Sequence, residues 1–427
     1  MSGEVAAGAG ATPVHPLRTD PDWRRFLTSR LVSLTGSSVT YVALPVLVYA
    51  MTSSPLLTSL VASFEALPYL MLGLPAGALA DRFDRKRLMV ATDLANALVL
   101  TSIPLASWAG VLTVPHVLAV AFVVPTLFVF FDAADFGALP TLVGRERIVL
   151  ANSALWSSST VVETLVPLAA GALFAVASPA SLLGVDALTY VASALLIRAI
   201  RRPLSDIGRL TGDRLTGRAL RVDMTEGLRF LWRHAALRTM TVVGATQSIC
   251  GGAFVGLLVV WADQVLDVRE GDWRLGVLFA SWGVGMLATT LLTPRVVRRL
   301  GAARVTLVAL PVSLLMSVVV VLAPEWVSAS VATALWGVGY MAVVLNAITY
   351  RQQVTPEPLM SRVNTTGRML SFGLGTPVGA VLGGVVAEGT GPRGGMLAGS
   401  AVLALGVVLA WTSPLRREGA APLEVTA

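Results

Sequence analysis

The sequence predicts an all-α integral membrane protein with twelve spanning helices in two pseudo-symmetric sets of six. Three observations predict it. The chain is 55% hydrophobic and 13% charged, with mean hydropathy +0.74, where a soluble chain carries charge on roughly a quarter of its residues. Its apolar residues come in blocks of about 20, long enough to cross a hydrocarbon core of about 30 Å. The segment PTLVGRERIVLANS (140–153) is echoed by YRQQVTPEPLMSRVN (350–364): both run from a helix end through a basic turn to a hydrophobic-Asn pair. Asn152 and Asn364 stand 212 residues apart, and Pro167 and Pro377 stand 210 apart. The same offset from Asp81 falls in the TPRVVRR turn, a degenerate copy without the Asp. Parallel repeats of this kind build many transporters.

The elements follow in order. Residues 1–22 are small and polar and read as a disordered cytoplasmic tail. Their first twenty carry no signal-peptide core, so the first span, 28–51, is expected to start insertion. The second span, 56–80, ends at GLPAGALADRFDRKR (73–87), where Gly77, Asp81 and Arg82 close the helix. Arg85, Lys86 and Arg87 fill the turn before the third span, 88–109. A loop this short and basic stays on the cytoplasmic side. Spans at 114–137, 151–177 and 180–200 complete the first set, 23–200. The polar segment 201–235 places Met224, Leu228, Leu231 and Trp232 on one face, which predicts an amphipathic helix on the inner membrane surface. The second set, 236–413, holds spans at 236–262, 275–297, 302–323, 326–350, 364–387 and 395–413, and 414–427 is a cytoplasmic tail.

Loop charge fixes the expected orientation. With both termini inside, the inner loops hold Arg82, Arg85, Arg87, Arg145, Arg147, Arg295, Arg298, Arg299, Arg304, Arg351, Arg362, Arg416 and Arg417. The outer loops hold Arg269, Arg274 and Arg393. Flipping the chain would violate the positive-inside rule. Net charge +7 arises from arginines in alternate loops and one lysine, Lys86, so nucleic acid is not the expected partner. Lone Cys250 excludes an intrachain disulfide, and His15, His116 and His234 have no ligand spacing, so no metal is expected. Lys86 between Arg85 and Arg87 rules out a phosphate loop within this chain. No nucleophile, base and orienting group converge in one motif, so an enzyme is not expected.

Ionisable residues within spans cost on the order of 2.5–3.5 kcal/mol at mid-depth, so each needs a reason. They are Arg30, Glu65, Asp93, Asp132, Asp135, Glu163, Asp186, Asp263 and Arg368. Glu163, about 18 Å from the inner end of its span and flanked by Val161, Val162 and Leu165, is a candidate proton carrier. Glu65 is the second. Asp93 and Asp186 are expected to pair with Arg30, Arg198 or the basic turn, and Arg368 with an acidic group or helix end.

Residues 24–48, 63–89, 131–152, 183–197, 226–238 and 346–364 resemble the enterobactin-exporter and macrolide-efflux branch of the major facilitator superfamily. The resemblance spans nearly the whole chain. It implies a monomeric transporter that exports a hydrophobic or amphipathic small molecule in exchange for protons, using the proton gradient and no cofactor. An importer of the same fold would use the same carboxyls in symport. The resemblance also implies that Gly77, Asp81, Arg82 and Arg85 form a gate that pairs with Asp132 or Asp135 low in the fourth span. Spans 1, 4, 7 and 10 would surround the path, with Ser33, Ser37, Thr40, Tyr41, Phe131, Gln247, Tyr340, Asn346 and Arg368 as lining candidates. Two departures stand out. Ser37 follows Gly36 where the branch often has an acid. The antiporter motif of the fifth span keeps Pro167 and Gly171 but has Val166 before the proline, whereas Gly375, Pro377 and Gly379 give a fuller version in the eleventh.

Overall fold

In the computed structural model the described residues are 17–418, except 81, 175, 206–216, 270 and 357–358. Asp20 starts the first helix: its carboxylate accepts from the Asp22 and Trp23 N–H groups at 3.1 and 3.3 Å, and Pro21 follows, as helix starts favour. This helix, α1 (Pro21–Thr52), ends at Ser53 in the left-handed conformation. α2 is Pro55–Ala80, and Asp84 caps α3 (Arg85–Trp108) by accepting from the Arg87 N–H at 2.9 Å. α4 (Val114–Val143), α5 (Ile148–Leu173) and α6 (Pro179–Arg198) follow. The polar segment forms α7 (Gly217–Arg233), with Leu231 buried and Leu228 and Trp232 exposed on a polar helix. α8 (Ala235–Leu266), α9 (Trp273–Leu300), α10 (Ala302–Leu322) and α11 (Trp326–Val354) come next. α12 (Met360–Arg368) continues through one π-helical turn, Met369–Gly373, into α13 (Leu374–Thr412). No strand occurs among the described residues.

Nine helical stretches among the described residues are long and apolar enough to cross a bilayer. One of them, Val363–Thr412, holds both the eleventh and twelfth predicted spans, because the expected loop at 388–394 contracts to a sharp bend at Gly391 (φ 77°) before Pro392. α5 and α9 are not among the nine. α5 carries Asn152, Ser157, Ser158, Ser159, Thr160 and Glu163, and α9 closes on the arginines of TPRVVRR.

By chain order, α1 to α6 are taken as a first packing group and α8 to α13 as a second. α1 to α6 pack on one another, chiefly α1 on α6, α3 on α4 and α6, and α2 on α4. α8 to α13 do the same, chiefly α13 on α8, and α11 on α9 and α10. The groups meet along α2 with α13 and α5 with α9, with α8 also touching α1 and α2. One end of the bundle carries the basic α2–α3 turn. The other, the far end, carries the α1–α2 turn at Ser53 and Ser54.

Candidate functional site

Arg30 and Tyr41 are eleven residues apart on α1, so they share one face to within about 20°. Both point between the packing groups. The Arg30 guanidinium sits over the Phe131 ring at 4.9 Å and beside Phe128 at 5.8 Å. It ion-pairs with Asp135 at 3.4 Å and reaches Asp132 at 3.9 Å. Phe128, Phe131, Asp132 and Asp135 follow helical spacing on α4, which makes one face of them. Tyr69 on α2 lies within electrostatic reach of Asp132, Arg30 and Arg368, and meets Phe372 of the π turn edge-on at 6.3 Å. Residues of both groups therefore form one tier of charge and aromatic surface.

A second tier lies toward the far end. Tyr41 keeps 39% of its surface exposed while touching Phe279 of α9 edge-on at 6.0 Å, so its open surface faces the space between the groups. Glu65, Glu163 and Tyr340 are all within electrostatic reach of its hydroxyl. Glu65 sits one turn before Tyr69 on α2. Neither glutamate forms an ion pair among the described residues. Behind Tyr340 stand Trp282 at 4.9 Å, Trp336 and Phe254, a continuous aromatic wall. Stacking surface, two carboxyls and a guanidinium in one space suit an amphipathic molecule with a charged or polar end.

Several sequence-predicted lining residues belong elsewhere. Ser33, Thr40, Gln247 and Asn346 are buried in helix packing. Thr40 donates to Asp186 of α6, and Ser37 bonds the Tyr190 hydroxyl at 3.0 Å, so this stripe of α1 faces α6 rather than the interior. Gln247 donates to Ser313 at 2.6 Å and Asn346 to Thr306 at 2.5 Å, both inside the second group. Arg368 is exposed and makes no ion pair among the described residues, against the expected pairing. Asp132 and Asp135 serve Arg30, while Arg85 donates to the Gly137 carbonyl at 2.8 Å and its N–H to Ser205 at 2.8 Å. Gly77 sits near the end of α2, and Asp81 lies outside the described residues. Sequence reasoning missed Tyr69, Phe279 and Phe372. The glycines Gly367, Gly373 and Gly375 around the π turn were the available signal, since such turns gather at functional sites.

The motif glycines make helix contacts. A Cβ on Gly171 would stand 2.5 Å from Gly276 Cα, and one on Gly276 would stand 2.7 Å from the Pro167 carbonyl, so α5 and α9 touch backbone to backbone. Gly375 and Gly379 press on α8 in the same way, while the Pro377 carbonyl accepts from Ser63 of α2 at 3.1 Å. At the far end the Tyr49 hydroxyl donates to Asp263 at 2.8 Å. Glu388 accepts from the Ser54 hydroxyl at 2.7 Å and from the Leu56 N–H at 3.2 Å, so it caps α2 from the other group.

The model of the family described as transmembrane secretion effector matches residues 11–426. The chain belongs to this family, within the major facilitator superfamily. It is similar to the multidrug efflux pump Tap of Mycolicibacterium fortuitum, 30% identical over 401 residues that span 91% of this chain and 95% of the relative. Macrolide efflux protein A of Streptococcus pyogenes is 23% identical over 396 residues, 90% of this chain and 94% of the relative. The enterobactin exporter EntS of Shigella boydii is 24% identical over 421 residues, 96% of each. Among solved structures, the nucleoside transporter NupG superposes with TM-score 0.73 at 12% identity, over 92% of this chain and 98% of that one. An inward-facing bacterial homologue of ferroportin superposes with TM-score 0.68 at 17% identity, over 94% and 99%. These two share the fold. As a secretion-effector chain the protein is a multi-pass membrane transporter.

Proposed function

We propose that the chain exports an amphipathic small molecule, of the drug, antibiotic or siderophore-like class, by proton antiport with alternating access. The observation that carries this is the placing of Glu65 and Glu163, without basic partners, beside Tyr41 and Tyr340 in the space between the helix groups. A carboxylate without a cation costs several kcal/mol once such a space closes over it. Each transit must therefore carry either a proton or a polar, positive end of the substrate there, and that exclusivity is the coupling. The names of the relatives, all efflux proteins or exporters, support the outward direction.

The two packing groups correspond to residues 23–200 and 236–413, two pseudo-symmetric halves that rock about the α2–α13 and α5–α9 seams, with 201–235 bridging them. Both termini face the cytoplasm, the far end is the outer face, and a monomer in the bilayer suffices. Gly77, Asp81, Arg82 and Arg85 are the lock at the basic end. Asp81→Asn is expected to reduce transport while leaving substrate binding intact, and lost binding in a folded variant would argue against a lock.

Inside-out vesicles with an acid lumen test the coupling. A panel of macrolides, siderophores and amphipathic dyes is added and lumenal pH followed. Substrate-dependent proton release from the lumen is expected, and Glu163→Gln or Glu65→Gln should reduce it at least about tenfold while binding persists, the scale of a lost proton-transfer group. Protons moving in the same direction as substrate would mean an importer. Undiminished release in both variants would remove these two residues from the proton path.

A further inference from the structure

Away from the shared space, between α1, α3 and α6, lies a second set of ionisable side chains. Asp93 on α3 is 1% exposed and Asp186 on α6 is wholly buried. Asp186 accepts from the Thr40 hydroxyl through one oxygen and from the Thr189 hydroxyl, at 2.9 Å, through the other. Its carboxyl fills the notch at Gly36, where a Cβ would collide with it. Asp93 Oδ2 and both polar atoms of Asn96, one turn further on, have no close hydrogen-bond partner, Ser193 of α6 lies beside Asp93, and all three residues are buried.

The charges around this pair do not balance. From α1 it is faced by Arg30, from α4 by Asp135, and from α6 by Tyr190, whose hydroxyl is tied to Ser37. Lys86 is spent on the Ile200 carbonyl at 2.6 Å at the basic end, and His116 bonds Ser102 further along. Arg30 is already paired with Asp135 and Asp132. One guanidinium thus pairs with two carboxyls and lies within electrostatic reach of a third, Asp93, and neither Asp93 nor Asp186 forms an ion pair among the described residues. Two buried carboxylates without a counter-ion are too costly to keep charged.

We propose that Asp93 and Asp186 form an exchangeable proton-binding site within the first six helices, linked to the shared space by Arg30. When Asp135 or Asp132 takes a proton from water in that space, its hold on Arg30 weakens. Arg30 can then turn to Asp93, whose proton leaves to water. When Arg30 returns to Asp135, a proton is taken up again at Asp93 or Asp186. The site takes protons whether or not transport is coupled to them; only its use in coupling rests on the antiport proposal.

The test counts protons. Purified full-length protein in detergent, weakly buffered with an indicator dye, is titrated from alkaline to acid. Wild type is compared with Asp93→Asn, Asp186→Asn and the double variant, in the native background and with Glu65→Gln and Glu163→Gln present. Elution volume and melting temperature identify folded samples. The folded double variant should bind about one to two fewer protons per molecule in both backgrounds. Equal uptake overturns the proposal, and so does sodium-dependent stabilisation lost in the variants without a proton deficit. Should the Asn variants not fold, Thr40→Val removes one donor to Asp186 while keeping its shape. It must move the midpoint of uptake, and an unmoved midpoint overturns the proposal. A deficit in a protein whose vesicles show no substrate-driven proton movement leaves the site standing and the antiport proposal fallen. Normal antiport with no deficit does the reverse.

Discussion

Arg30 is held by stacking as much as by charge, and the two contributions separate under substitution. Lysine keeps the charge but loses the planar fork that lies over Phe131 while reaching Asp135. Arg30→Lys should therefore cost about 0.5–2 kcal/mol of stability, the range of a cation–π contact, read as a lower melting temperature. Arg30→Gln should cost more, because it leaves Asp135 part-buried without a cation. Equal effects of the two would mean that the charge contributes nothing, and an unchanged melting temperature in Arg30→Lys would mean that stacking contributes nothing. Across the space, Phe372→Ala removes the edge contact to Tyr69, worth about 0.5–1.5 kcal/mol beyond buried area. Aromatic substrates should lose up to about tenfold in affinity, measured as KM in transport. The ionisable members of this site were legible in the sequence, since Arg30, Glu65, Asp132 and Glu163 interrupt apolar spans and must face something other than lipid. The hydroxyls were not. Ser37, Thr40 and Tyr41 are neighbours on one helix, and only packing shows that the first two face α6 and the third faces the interior.

At the level of elements, α5 and α9 fit because neither has a side chain where they cross. Gly276→Val would drive methyls into the Pro167 and Leu168 carbonyls, an overpacking of about 1–3 kcal/mol that small shifts of a side chain cannot relieve. The helices would have to separate, so transport should fall far more than expression. Unchanged transport in Gly276→Val would show that the seam is not a bearing surface. Hydropathy made most helices legible, because crossing a bilayer leaves a run of apolar residues that no local feature disguises. α5 stands out for the opposite reason: its serines, Thr160 and Glu163 lower its hydropathy, and it borders the interior. The gap between the hydropathy spans 364–387 and 395–413 predicts a loop, yet one left-handed residue, Gly391, is enough to turn the chain. The π turn before α13 is marked in the sequence only by the glycines that flank it, Gly367, Gly373 and Gly375, and its form depends on how α12 and α13 meet α8 and α2.

For the whole molecule, opening the far end requires breaking the ties between packing groups there, and Glu388 tells at which pH its tie yields. Its carboxyl is held below the ordinary glutamate range, chiefly by the Ser54 hydroxyl and then by the Leu56 N–H. Opening removes both donors and returns the group toward its ordinary value of about 4.3. The sign follows: a group whose value is lowered in the closed form favours that form above its ordinary value, and the preference fades as pH falls through the lowered one. The window lies well below neutrality, so Glu388 cannot be the group whose protonation drives a cycle at neutral pH. Removing its charge, by contrast, weakens the tie at every pH. Ser63 is buried where α2 meets α13, and Cys250 is buried as well, so Ser63→Cys gives one reporter cysteine for an impermeant thiol reagent applied from the far end. With the wild-type tie, the trend of labelling between about pH 6 and about pH 8 should match that of a freely accessible control thiol. Glu388→Gln should label several-fold faster throughout that range and keep the same trend. A rate that climbs on mild acidification relative to the control and is levelled by Glu388→Gln would place proton sensing at the far end, and would take it away from the carboxyls of the interior.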